Sequence, residues 1–516
     1  MKEERVSCPD IAERYYFPTV FISVLCFSVI FYVLVVFDLI PMGIPGQWVF
    51  PHVGPGYVFP LHEAIISLII GAMILALSVR LGSDQALPKK VCRAGIFSLS
   101  VLGIFFDWNI LLSGRIGFSE NLYAVYDRYA TGYLEVAENI ESISDYIKGF
   151  HGAQEKSGMV NHINVHPPGR TVLSYLVLKT VYASPFLEDF LLRTMPTDAS
   201  HAFKAIEDDN IFPYFDMDGK KKATGLLILY LFLFFLAAGK IFMAFVIWML
   251  FGPRAALFSA CFYMFCPSSI LFFGHYDCFM SANAALLVLL AVCANRYDSI
   301  VLAYFSGFFA CLSSLFSIAF GVPCLWILIY WFFCDLKDGG IRKFIFKRLL
   351  PFGIAYFFVI ILLQLIFKFP YFNVLLSCLK NNDKFFQIQS TRTWIWKLLN
   401  YVEFMTAVGF PLMVMLFSCV IIKFGKILRK FREGMISHFD PVLIATFIIM
   451  MFLFFTPTRA EVSRQWSSAI PLMSLIFPYL FLSFKEQATK MFILCGSLLI
   501  TQIIVFRFFI KIVIID

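Results

Sequence analysis

Apolar runs of about twenty residues recur along almost the whole chain, and they leave few folds open. A spanning helix needs roughly 20 apolar residues. Inside a bilayer only helices and closed barrels satisfy the backbone. A barrel would show short alternating strands instead, so the runs predict an all-α, polytopic integral membrane protein. Composition agrees. The chain has 516 residues, 60% of them hydrophobic and 15% charged, with a mean hydropathy of +0.80. A soluble domain carries roughly 45–50% apolar and about 25% charged residues.

The spans are expected at about Pro18–Phe37, Leu61–Val79, Ala94–Leu112, Thr224–Leu250, Ala255–Cys266, Ser281–Ala294, Ile300–Ala319, Val322–Phe333, Pro351–Phe367, Thr406–Ile422, Val442–Phe455, Ile470–Phe484 and Met491–Ile510. The total is roughly 11–13 by the length rule. Thr171–Ser184 is short for a span. If it crosses, a break inside Thr224–Leu250 has to restore the parity. The polar start MKEERVSCPDIAERYYF precedes a first apolar run long enough to remain as a helix, so no cleaved signal peptide is expected.

The net charge of +8 is spread over short basic clusters between apolar runs, such as Lys337–Arg348 and Lys423–Arg432. This is the pattern of cytoplasmic loops rather than of nucleic-acid binding. Phe is abundant, 63 residues, as suits lipid-facing helices. The 13 cysteines show no CxxC and no zinc spacing, and read as small buried apolar residues. The expectation is a single domain over 1–516, multi-pass in the plasma (inner) membrane. Polar loops over 113–170 and 368–401 then lie on the extracytoplasmic side.

The first of those loops is the most distinctive stretch. Tyr126–Arg170 is rich in carboxylates, histidines and tyrosines and ends in His-Pro-Pro-Gly-Arg. Within it, Tyr133, Val136, Ala137, Ile140, Ile143 and Ile147 recur at helical spacing. They predict an amphipathic helix over Gly132–Phe150 lying along the membrane surface. Most of the loop's acids read as solvated charges. Asp127 and Glu135 flank the turn that starts the helix and are best placed to act as a general base or metal ligand.

Three other groups carry candidate chemistry. In HINVHPPGR, two prolines stiffen the backbone and Gly169 permits a turn or a close approach. His162, His166 and Arg170 are thereby held at a membrane boundary, where Arg suits a phosphate. The simpler reading is a helix-starting turn. In FFGHYDC, His275 and Asp277 stand between two spans, and acids there are expensive and functional by default. Asp277 could equally be an N-cap for a helix starting near Cys278. In TRAEVSRQWSSAIP, Arg459, Glu461 and Arg464 form either an internal ion pair or a cationic site for phosphate or pyrophosphate. No P-loop, GxGxxG, HExxH or GxSxG stands in a supportive context, so ATP-driven transport, Rossmann cofactors and serine hydrolysis have no support.

The order of these features resembles the bacterial membrane glycosyltransferases of the GT-C fold, such as the dolichyl-phosphate-mannose mannosyltransferase-like and aminoarabinose-transferase-like proteins. GYLEVAENI looks like their acid-acid-x-Tyr-Tyr-x-x-Ala helix. His166-Pro167-Pro168-Gly169 is similar to their Lys/His-Pro-Pro motif. CPSSILFFGHYDCFMSANAALL is similar to their Pro-then-Asp boundary. AEVSRQWSSAIPLM resembles their Glu-x-x-Arg before a late span.

The resemblance implies a polyprenyl-phosphate sugar donor, a lipid or glycan acceptor and inverting transfer on the extracytoplasmic face. Its base would be a first-loop carboxylate. Thr131-Gly132 stand where that family carries its acid pair, which leaves Asp127 or Glu135. The family's loop lysine corresponds to His166. Tyr133, His162, His166, Arg170, His275, Asp277, Arg459, Glu461 and Arg464 would bind substrate. No cofactor is required, and a divalent metal is left open. The partners expected are the lipid-linked donor, the acceptor and membrane lipids, with no nucleic acid. The competing expectation is a transporter or flippase of a lipid-linked saccharide, which would use the same cations and need no base.

Overall fold

The computed structural model describes residues 10–40, 42–44, 48–49, 52, 61–83, 88–112, 120–127, 132–156, 162–208, 217–268, 273–388, 393–432, 440–456, 458 and 462–510. Among them the fold is helical. The strands are a two-residue antiparallel pair, Gly43–Ile44 with Trp48–Val49. Eight helical stretches are long and apolar enough to cross a membrane, and five shorter apolar helices accompany them. The chain is a multi-pass membrane protein.

The first half contains α1 (Asp10–Val36), α2 (Leu61–Ser83), α3 (Lys89–Leu112), α4 (Glu120–Tyr126), α5 (Tyr133–Glu138), α6 (Ile143–Lys156), α7 (His162–Val165), α8 (Gly169–Ala183), α9 (Pro185–Arg193), α10 (Ala199–Asp208), α11 (Gly219–Phe251) and α12 (Pro253–Met264). The second half contains α13 (Asp277–Arg296), α14 (Ile300–Ser314), α15 (Gly321–Asp338), α16 (Leu350–Phe367), α17 (Tyr371–Ile388), α18 (Trp396–Val408), α19 (Phe410–Arg432), α20 (Pro441–Phe455) and α21 (Ala488–Phe509). Between α20 and α21 the expected span Ile470–Phe484 is divided into helical pieces Ile470–Ser474 and Phe477–Ser483.

The uncertain stretch of topology resolves simply. α11 runs 33 residues without a break, with Asp218 as its N-cap accepting from the Lys221 N–H at 2.8 Å. At 1.5 Å per residue it is about 50 Å long, well beyond the ~30 Å hydrocarbon core. Its excess length holds α8. Arg170, at the start of α8, reaches Asp277. Tyr182, near its end, lies under Lys220, 5.1 Å from ring centre to ammonium. The break expected inside Thr224–Leu250 is not formed, and Gly169–Ala183 is not among the helices long and apolar enough to cross a membrane.

The expected single surface helix over Gly132–Phe150 is not formed. It divides into α5 and α6 around residues 139–142. Asn139 folds its side chain back on the Glu135 carbonyl at 2.8 Å. Ser142 starts α6 by accepting from the Asp145 N–H at 3.3 Å. Asn and Ser offer the backbone such local partners in place of helix bonds. Tyr133, Leu134 and Ala137 of α5 are buried inside the protein rather than laid on its surface. The second polar loop also folds, as α17 and α18. It packs on the first: Ile147 and Phe150 of α6 share a small core with Val374 and Cys378 of α17. Gln154 donates to the Cys378 sulfur at 3.2 Å.

Charge marks the two ends of the bundle. The turn after α13 brings Asp298 to Lys347 at 2.5 Å and Arg348 at 2.8 Å. Asp335, at the end of α15, meets Lys343 at 3.3 Å and Arg348 at 3.4 Å. Arg348 lies in a π-helical turn, Ile345–Leu349. At the other end of α13, roughly 30 Å away along the helix, stands Asp277.

Candidate functional site

Asp277 gathers the site. It opens α13, but its carboxylate does not cap that helix: the N-cap position is Tyr276, and no side-chain cap bond forms there. Instead Asp277 Oδ1 is 3.3 Å from Arg170 Nη2, and Oδ2 is 3.1 Å from Arg464 Nε. The side chains are 6%, 4% and 20% exposed for Asp277, Arg170 and Arg464, so the cluster is reached through Arg464.

Local sequence explains why these groups meet. Gly169 brings the start of α8 against the end of α14. Its N–H donates to the Leu315 carbonyl at 2.8 Å. A Cβ at Gly169 would lie 2.5 Å from that oxygen. Arg170 then follows in register: Nε donates to the Phe316 carbonyl at 3.0 Å and Nη1 to the Tyr133 hydroxyl at 3.4 Å. On the other side, Gly274 takes φ +90°, and a Cβ there would sit 3.0 Å from Asn121 of α4. That turn delivers Tyr276 and Asp277 together. Tyr276 stacks edge-on against Tyr133, 5.0 Å between ring centres, and shares a hydrogen bond with Ser174 of α8.

Two guanidiniums face one carboxylate here, so the three side chains carry two positive charges and one negative. Burial pushes the Tyr133 phenol up from its ordinary range, so it remains a neutral hydroxyl beside Arg170. Comparison with protein-family models, curated proteins and solved structures finds no match. The assignment of a role therefore rests on this geometry.

Of the residues singled out in the sequence, Tyr133, Arg170, Asp277 and Arg464 come together. Arg464 pairs with Asp277, which lies outside its own loop. Arg459, Glu461 and the side chain of His162 lie outside the described residues. His166 is half-buried at the bend before α8. His275 offers its carbonyl to the Cys278 N–H at 3.3 Å. Asp127 follows α4, with its carbonyl accepting from the Gly132 N–H at 3.0 Å. Glu135 is half-buried in the first turn of α5.

Glu138, one turn beyond Glu135, was less visible in sequence. Its Oε1 is buried with no hydrogen-bonding partner among the described residues. Burial is the main cause that raises its carboxyl above the ordinary range; Lys221 opposes the shift, and Asp218 and Glu135 add to it. A raised carboxyl holds its proton more readily than an ordinary one, as a general base in a protein must be able to do. Among the described residues, no group of three or more His, Cys, Asp or Glu side chains forms a metal site.

Proposed function

We propose that this chain is a membrane glycosyltransferase of GT-C type, moving a sugar from a polyprenyl-phosphate donor to an acceptor hydroxyl on the extracytoplasmic face. The observation that carries the reading is the Arg170–Asp277–Arg464 cluster: two guanidiniums oriented on one buried carboxylate, at the end of a spanning helix. A lipid-linked phosphate would lie at that depth. Guanidiniums match phosphate oxygens with paired N–H donors. Asp277 holds the two Arg planes apart and oriented before the ligand arrives.

In the reaction, the acceptor oxygen forms a bond to the sugar's anomeric carbon as the bond from that carbon to the phosphate oxygen breaks. The electron pair leaves with the polyprenyl phosphate. Arg170 and Arg464 stabilise the charge that develops there, and the low dielectric beside the membrane strengthens the effect. The acceptor proton passes to a carboxylate of the first polar loop. Asp127 and Glu135 are joined as candidates by Glu138, whose raised carboxyl and unpartnered oxygen favour it.

The test is transfer by the purified protein from a polyprenyl-phosphate sugar. Activity should disappear in Arg170→Ala and in one of Asp127→Asn, Glu135→Gln or Glu138→Gln. Lipid translocation without any transfer would replace this reading with the flippase.

A further inference from the structure

A second pair of charges lies deeper in the bundle. Lys240, in the middle of α11, and Asp107, in α3, are each 1% exposed and form an ion pair. Lys240 also donates to the Met264 carbonyl at 2.9 Å. An ammonium has three N–H donors, so one remains. Such residues inside a membrane protein are costly and need a reason.

Lys240 also borders a small, partly enclosed space. Lys240 lines it together with Tyr263, Cys266, Asp277, Ser281 and Ser467. The Ser467 hydroxyl is buried and has no partner among the described residues, while its carbonyl accepts from Ser281 Oγ at 3.0 Å. The space open to a water centre is ≈ 20 Å³. About 10–15 Å³ on that measure holds one water, which needs 2–4 polar partners. The cavity is too small for a sugar ring, and within its largely apolar lining Lys240, Asp277 and Ser467 offer a water three polar partners.

We propose that this cavity binds one ordered water that links the Lys240 ammonium to Asp277 and the Ser467 hydroxyl, making Lys240 a positioning residue for the Arg170–Asp277–Arg464 cluster. The water accepts from Lys240 and donates to Asp277 and to Ser467 Oγ. Asp277 thereby gains a polar anchor from inside the bundle, opposite in kind to its two arginines. Asp107 pairs with Lys240, so this anchor adds no net charge to the cluster. The water site stands on the geometry alone. Its consequence for lipid-phosphate affinity rests on the proposed function.

Radiolytic hydroxyl labelling of the full chain in nanodiscs, in oxygen-18 water, detects buried waters through oxidation of the side chains beside them. Tyr263 and Cys266 should take up label about tenfold faster than Cys261, which is equally buried but outside the cavity. Ser467→Ala, a mild change, should reduce that excess. Equal labelling of Tyr263, Cys266 and Cys261 would overturn the water site. The positioning role is read by infrared difference spectroscopy, with the Asp277 carboxylate band assigned by subtracting Asp277→Asn. That band should shift in the paired variant Asp107→Leu/Lys240→Met, which removes both charges and strands neither. An unmoved band would overturn the role of Lys240. Affinity for polyprenyl phosphate should fall about tenfold in the same variant. Labelled water in a wild-type chain that binds no polyprenyl phosphate would uphold the water site and sink only the phosphate reading.

Discussion

The two ends of α13 carry charge clusters of the same net sign and different construction. At one end, Asp298 and Asp335 meet Lys343, Lys347 and Arg348. At the other, Asp277 meets Arg170 and Arg464. In both, these cations outnumber these carboxylates by one. In the first cluster the cations are close neighbours in sequence and Lys347 is 42% exposed, so water screens the surplus. In the second the three residues come from distant parts of the chain, and the most exposed of them, Arg464, is only 20% exposed. A screened surplus anchors a linker; an unscreened one attracts an anion. Net charge alone does not distinguish an anchor from a binding site, whereas burial and the type of cation do.

The sharpest way to break this contrast is Asp277→Ala. Two guanidiniums then face each other with no carboxylate between them. Removing one partner of a buried pair costs about 3–5 kcal/mol, and transfer should fall by about 10²–10³-fold as the oriented donors are lost. Thermal unfolding and a transfer assay on the same preparation read both effects. Next is Arg348→Met at the opposite end. It leaves Asp335 buried and should cost about 3 kcal/mol of stability, yet turnover per folded molecule should not change. A loss of turnover there would erase the distinction between the two ends.

Arg464→Lys tests the fork rather than the charge. It keeps the positive charge and gives up paired donation, so polyprenyl-phosphate binding should weaken about tenfold, or ~1.4 kcal/mol, with the melting temperature unchanged. The smallest effect concerns Glu138. Its folded-state carboxyl is raised above the ordinary 4.5. Its contribution to stability is therefore fully present below that ordinary value and is lost as pH rises through the folded value. Glu138→Gln should be relatively more stable than wild type in neutral buffer and lose that advantage in acid, as read by melting curves across pH.

The membrane architecture was legible because hydropathy is a direct record of lipid contact. α1, α2, α3, α13 and α21 fall within a few residues of their expected places. The sequence leaves α8 open, because a 15-residue apolar run cannot show whether its buried face, with Val177, Leu178 and Val181, packs on protein or meets lipid. The surface helix over Gly132–Phe150 misled. Its apolar periodicity continues across Asn139 and Ser142, while those residues' side chains end one helix and begin another.

At the candidate site, Arg170, Asp277 and Arg464 stood out because charge beside an apolar run is rare, and Tyr133 through its place in the GYLEVAENI segment. Their convergence on Asp277 was not visible, since it depends on Gly169 and Gly274 allowing close approaches between distant elements. Lys240 carried the same signal of rarity inside LAAGKIFMAF. Nothing local linked it to Asp107, 133 residues earlier.

The central claim is that the Arg170–Asp277–Arg464 cluster receives a lipid-linked phosphate. The most direct measurement is a structure of the protein in lipid with polyprenyl phosphate bound. The account predicts the phosphate within hydrogen-bonding distance of Arg170 or Arg464, with Asp277 still between them. A phosphate bound instead among Lys343, Lys347 and Arg348, at the far end of α13, would contradict it.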